Sequence, residues 1–282
     1  MIHKTLFIIL LCLLVLGAIY CYYYNRWKHL WAVASPQQYY YVPQHQDDTL
    51  RVLMIGDSWA GLHSELKMDF FLRSELERRV QRPVSVISKG KGGEKSKGIY
   101  QLMFQTKGYG TKPLFLGGAD YCIISAGIND AVANWGTKQY CTHYRMILDF
   151  LLANGIRPII IEIPDVSVWA IYGDKPKMDL LTDYVRSTMT RCGMYNFHEY
   201  REAFFEMLQE EQLMERVVCI PMDSWNGEGT KLNPLLFVND GIHLNRKGYE
   251  MLDTSIAETI AHDLQQSLDT TFVNQPMNPN AE

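Results

Sequence analysis

Four short stretches of this 282-residue chain carry the residue types of nucleophilic acyl chemistry. The first is Gly56-Asp57-Ser58-Trp59, directly after the apolar run Arg51–Ile55. A serine hydroxyl is a weak nucleophile until a base takes its proton. On a tight strand-to-helix turn it projects above a sheet, beside the N–H groups and positive dipole end of the following helix. The same position equally suits a helix N-cap. The second stretch, Asn239-Asp240-Gly241-Ile242-His243, offers the base. Its spacing lets the Asp240 carboxylate reach the imidazole of His243, fix its tautomer and stabilise the imidazolium. The third, Gly127-Ile128-Asn129-Asp130, presents a side-chain amide that suits an oxyanion donor or an Asx-turn equally. The fourth is Ser88-Lys89-Gly90-Lys91-Gly92-Gly93-Glu94-Lys95-Ser96. It does not match the phosphate-cradle pattern. Its two readings are a solvated loop and a Gly93 amide aimed at an oxyanion.

Neighbouring residues have blander readings. Asp57 and Asp130 are expected to hold turns rather than act as acids, and His63, one turn into the first helix, to be partly exposed. Trp135, Trp169 and Trp225 fall in loops near the site, either as buried anchors or as platforms for a sugar ring. Cys122 and Cys219 lie in strand-like runs and read as small buried hydrophobes. A Cys141–Cys192 bridge is left open. No CxxC pair or zinc-ligand spacing occurs, so neither metal nor cofactor is expected.

The elements that must position these groups alternate. Strands are expected at Arg51–Ile55, Val84–Ile87, Asp120–Ser125, Arg157–Ile163 and Val217–Ile220. Helices are expected at Leu62–Val80, Gln139–Asn154, about Asp179–Leu213 as two pieces broken near Gly193, and Arg246–Leu268. Apolar runs such as Arg157–Ile163 (RPIIIEI) predict strands buried on both faces, hence a parallel sheet wrapped in helices. Ligands bind such sheets beyond the carboxyl ends of the strands, where Ser58, Gly93 and Asn129 all fall.

Residues 1–24 read as a membrane anchor or uncleaved signal, 25–49 as a tether, 50–268 as the catalytic domain and 269–282 as a disordered tail. The uncharged run Thr5–Tyr24 is long enough to cross a hydrocarbon core of about 30 Å. Tyr22, Tyr23, Tyr24, Trp27 and Trp31 form an interfacial belt after it. The one nearby A-x-A site, Ala32-Val33-Ala34, lies beyond two positive charges, which favours retention over cleavage. The expected orientation is a short N-terminal tail with the domain exported. The formal net charge of -4 carries no basic footprint, which argues against a nucleic-acid partner.

In order along the chain, Ser58, Gly93, Asn129 and His243 resemble the four signature residues of the SGNH (GDSL-type) hydrolase superfamily. GDSW resembles its first block, with Trp59 for the usual Leu. Ser88-x-Gly90-x-x-Gly93 resembles the second, with Ser88 for Asn. GIND is similar to the third, and DGIH to the last. The resemblance spans about residues 50–265. It implies a flavodoxin-like α/β/α sandwich and a Ser58-His243-Asp240 hydrolase. The implied oxyanion hole comprises the Ser58 amide, the Gly93 amide and the Asn129 side chain. Ala60 stands where a lipase-type G-x-S-x-G elbow needs its second glycine, so that fold is disfavoured. The expected activity is removal of O-acetyl or other short acyl groups from a cell-envelope glycan. Acyl transfer to glycan hydroxyls and a non-catalytic glycan-assembly role are the alternatives. A lipase would need an apolar channel, which the lysine-rich second loop does not predict.

Overall fold

A computed structural model describes residues 2–164, 175–222, 225, 233 and 235–273. Five strands form one sheet: β1 (Leu50–Gly56), β2 (Val84–Gly90), β3 (Tyr121–Ser125), β4 (Arg157–Ile161) and β5 (Val218–Ile220). Their order is β2-β1-β3-β4-β5, and every pairing is parallel. The five expected strands are therefore present. β3 is buried along its whole length and β1 nearly so, as their branched apolar runs require of strands covered on both faces. The chain reverses its winding direction between β1 and β3, and a crevice opens there beyond the strand ends.

On one face lie α2 (Ser58–Glu65), α3 (Met68–Val80) and the last helix, α10 (Arg246–Val273). On the other are α4 (Ser96–Leu102), α7 (Thr137–Ala153) and α9 (Phe197–Glu210). Shorter turns α5 (Lys112–Phe115) and α6 (Ile128–Val132) precede and follow β3, and α8 (Lys177–Thr190) precedes α9. α7 shows how sequence sets packing. Tyr140, Tyr144, Ile147, Leu148 and Leu151 recur at helical spacing and are all buried. Each such side chain is worth roughly 1.5–3 kcal/mol when removed from water.

The sequence expectation fails in three places. The single helix expected over Leu62–Val80 is two, broken at Lys67, whose φ of 59° is left-handed. The break leaves α2 short enough to lie against the end of β2 while α3 turns to pack on α10. The last helix continues past Leu268 to Val273, and residues 274–282 lie outside the described residues.

The largest difference concerns residues 25–49, expected as a tether. The N-terminal helix α1 spans Ile2–Trp31, and the segment after it is a strap docked between α4 and α7. The Ala34 N–H donates to His143 Nε2 at 3.0 Å, and the Gln37 N–H to the Tyr100 hydroxyl at 2.9 Å. Tyr40 donates to the Met103 carbonyl at 2.8 Å, and the Val42 N–H to Asn154 Oδ1 at 2.9 Å. Burial holds His143 neutral, its pKa pushed down to about 4. Its Nδ1–H can then donate to the Gln139 carbonyl (2.7 Å) while Nε2 accepts from the strap. Ala34 and Val42 are buried in the core, a role hidden by the lack of periodicity in 25–49. All six cysteines are free, Cys141 and Cys192 among them.

Candidate active site

Ser58 is the first residue of α2, and Asp57 is its N-cap. The Asp57 carboxylate accepts the Trp59 N–H at 3.0 Å, so the capping role weighed for Ser58 belongs to its neighbour. This frees the Ser58 hydroxyl, which lies 2.8 Å from His243 Nε2. His243 Nδ1 in turn is 2.5 Å from Asp240 Oδ2. The other Asp240 oxygen accepts the N–H groups of Ile242 (2.9 Å) and His243 (3.0 Å), which locks the carboxylate to the turn that carries the ring. Burial opposes ionisation of Asp240, yet the His243 ring and these two amides hold its pKa below the ordinary value. A carboxylate, an imidazole and a hydroxyl thus stand in line, the arrangement that moves a proton off serine.

The loop bearing Asp240 and His243 is closed by a bridge between Phe237 and Leu244 and by the Val238 N–H donating to the His243 carbonyl at 2.8 Å. Gly241 turns it at φ 71°, a conformation that disfavours any side chain. Trp59 joins this loop to the serine. Its indole N–H donates to the Ile242 carbonyl at 3.0 Å, one residue before His243. The leucine usual at this position could make no such bond.

Two buried aspartates tie the remaining loops together, as expected of them. Asp57 accepts from the Ser125 hydroxyl at 2.7 Å and from Asn129 Nδ2 at 3.2 Å. Asp130 accepts from the Ser96 N–H at 3.0 Å and the Ser96 hydroxyl at 2.7 Å. Burial raises both carboxyls to a pKa of about 6, against the lowering effect of these hydrogen bonds. The loops after β1, β2 and β3 are thereby fixed to one another. Gly90 shows how close they run, since a Cβ there would lie 2.1 Å from the Asp57 carbonyl and 2.5 Å from the Gly61 nitrogen.

Ser58, His243 and Asp240 open on a cleft of about 670 Å³, which Gly93 also lines. One wall is apolar, made by Leu62, Leu66, Val238 and Leu244, with Tyr109 at its mouth. That wall was not legible as such: the helical spacing of Leu62 and Leu66 reads as core, and spacing alone does not separate core from cleft. Tyr109, 55% exposed, was missed because it stands in a loop without pattern. Trp135 and Trp225 are buried, which leaves them the anchoring role, and Trp169 lies outside the described residues.

His63 corrects the expectation of partial exposure. It is fully buried, with Nε2 2.8 Å from Asp253 Oδ1 and Nδ1 2.9 Å from the Ser88 hydroxyl and 3.2 Å from Asp69. This is a second Ser-His-Asp constellation, sealed from solvent. Burial disfavours its charge, but hydrogen bonds to Asp253 and Asp69 raise its pKa to about 9. A ring protonated at neutral pH has no lone pair with which to take a serine proton. The contact of Ser88 with His63 also gives the departure from Asn in the second block a structural use.

Residues 54–251 match the model of the GDSL-like lipase/acylhydrolase family. The chain belongs to that family. It is accordingly a serine ester hydrolase. Among solved structures it is similar to a GDSL-like lipase from Bacteroides thetaiotaomicron, at 15% identity over 85% of this chain and 98% of that one (TM-score 0.53). It is also similar to an acetyl xylan esterase, at 14% identity over 73% and 98% of the chains (TM-score 0.53). A third is the psychrotrophic esterase EstA from Pseudoalteromonas sp., a structure inhibited by monoethylphosphonate, at 16% identity over 78% and 100% (TM-score 0.53). At these identities the likeness shows a shared fold. No curated protein matches the chain.

Proposed function

We propose that this family member cleaves short-chain esters, O-acetyl groups foremost, borne by a carbohydrate, through an acyl-enzyme on Ser58. The observation that carries the reading is the 2.8 Å contact of Ser58 with His243, itself held by Asp240, at the floor of an open cleft. His243 takes the Ser58 proton as the hydroxyl oxygen attacks the acyl carbonyl, then gives it to the sugar oxygen as the ester bond breaks and a sugar hydroxyl leaves. Water, deprotonated by the same ring, attacks the acyl carbon; the Ser58 ester bond breaks, the acid leaves, and the Ser58 oxygen takes the proton back from His243. The amides of Ser58 and Gly93 and the Asn129 side chain serve as the oxyanion donors. One hydrogen of the Asn129 amide goes to Asp57, and a primary amide has a second to give. A cleft far wider than an acetyl group, with an exposed tyrosine at its mouth, suits a small acyl group on a bulky ring-shaped alcohol. Acetate release from an acetylated oligosaccharide tests this reading, and hydrolysis undiminished in Ser58→Ala refutes the mechanism.

The apolar wall of Leu62, Leu66, Val238 and Leu244 favours a second reading, in which a longer acyl chain lies along it. A series of p-nitrophenyl esters separates the two. Preference for acetate supports the first, and a kcat/KM rising from acetate to octanoate supports the second. Residues 5–24 are proposed as a retained membrane anchor with the domain exported. His3–Lys28 is long and apolar enough to span a bilayer, and that stretch packs against nothing in the domain over its apolar window.

A further inference from the structure

The strap decides which end of the domain faces the membrane. If residues 25–49 were a free tether, the domain would hang from the start of β1, at the amino ends of the strands, with the site far from the bilayer. The docked strap reverses this. It runs alongside α4 and α7, from Ala34 at His143 in the second turn of α7 to Val42 at its C-cap Asn154, before entering β1 at Leu50. Helices that follow parallel strands begin at the carboxyl end of the sheet, the end where Ser58 follows β1 and Asn129 closely follows β3. The anchor helix meets the domain at that end. The Trp31 carbonyl accepts from Gln139 Nε2 in the first turn of α7 (3.4 Å), and the Ala32 carbonyl from Lys97 in the first turn of α4 (2.6 Å). One turn earlier, buried Trp27 stacks under the Arg186 guanidinium at 4.8 Å. Arg186 itself donates to the Ala133 carbonyl, just past α6 at the same end. From the tyrosine belt at Tyr22–Tyr24 to Trp31 the helix rises only about 10 Å.

We infer that the catalytic end of the domain faces the bilayer that holds the anchor, and that the ester it cleaves is carried on a lipid-linked molecule in that leaflet. This rests on the proposed anchor and on Ser58 as nucleophile. The anchor, the docked strap and the cleft then form one unit with no slack, and the cleft meets its substrate at the membrane surface. A soluble ester would gain nothing from this geometry. One tethered to the same surface would gain in effective concentration.

The test uses the full chain in phosphatidylcholine vesicles carrying a headgroup nitroxide quencher. A fluorescent fluorophosphonate marks Ser58, and in a separate sample a fluorophore clicked to an azide-bearing residue placed at position 215 marks the opposite end, roughly 20 Å away by strand length. Strong quenching at Ser58 with little at position 215 is the expected result. In vesicles of the same composition holding unlabelled chain, an acetylated oligosaccharide on a lipid tail should turn over about tenfold faster than its soluble counterpart. A flexible insert of about 20 residues between Trp31 and Ala32, reaching roughly 25 Å, should abolish that advantage and leave p-nitrophenyl acetate hydrolysis unchanged. A chain that does not sediment with vesicles overturns the inference together with the anchor. One that sediments but takes no label overturns it together with Ser58. An inserted, labelled chain whose Ser58 fluorophore escapes quenching overturns the inference alone.

Discussion

Two histidines in this domain each hold a serine hydroxyl and a carboxylate, His243 in the cleft and His63 behind it. Sequence made His243 conspicuous through the DGIH block and left His63 ordinary, because burial and distant partners such as Asp253 leave no local mark. The charge on His63 has a measurable consequence. Folding raises its pKa from 6.5 to about 9, so the protonated ring stabilises the fold fully below pH 6.5. That contribution fades as pH climbs through 9, a loss on the order of 3 kcal/mol. Denaturant unfolding of wild type and His63→Gln from pH 6 to 10 should show their stability difference shrinking as pH rises; a constant difference would contradict the charged state. At the site, Trp59→Phe keeps a ring and removes the N–H that holds the Ile242 carbonyl. We expect kcat to fall about tenfold with KM held, the mark of a residue that positions the base rather than the substrate. Equal kcat in the two proteins would remove Trp59 from the mechanism.

At the scale of elements, the five strands and the order of the loops that follow them were legible because apolar runs bounded by Gly and Pro report directly on buried strands. Less visible were α4, α5 and α6, too short to establish a period, and the break at Lys67, where no Gly or Pro marks the turn. The glycine-rich second loop was legible as a site loop but not in its detail. Gly90 abuts the backbone of Asp57 and Gly61, whereas a Cβ on Gly92 would meet nothing within 4 Å. Gly90→Ala should therefore cost about 1–3 kcal/mol, since backbone rather than a pliant side chain must shift. Gly92→Ala should stay within about 0.5 kcal/mol of wild type. Unfolding midpoints check both, and equal values would show that β2 and α2 do not approach as closely as described.

For the whole molecule, the long apolar N-terminal helix and the sheet domain were legible separately and their junction was not. The strap makes few periodic contacts and buries single residues, Ala34 and Val42, in a core built by distant segments. Removing residues 1–31 should leave a stable soluble domain, because that cut spares the strap. Removing 1–49 strips Val42, the Tyr40 bond and the Ala34 latch, and should destabilise by roughly 3–5 kcal/mol. Thermal melting of the two truncations compares them, and equal stability would make the strap a passenger. The activity proposed for this domain turns on one serine, Ser58. Treating the folded protein with a fluorophosphonate and mapping the modified peptide by mass spectrometry tests it most directly. The account predicts a single adduct on Ser58, lost in Ser58→Ala and slowed about a thousandfold or more in His243→Ala. Modification of another serine, or labelling of Ser58→Ala at the wild-type rate, would contradict it.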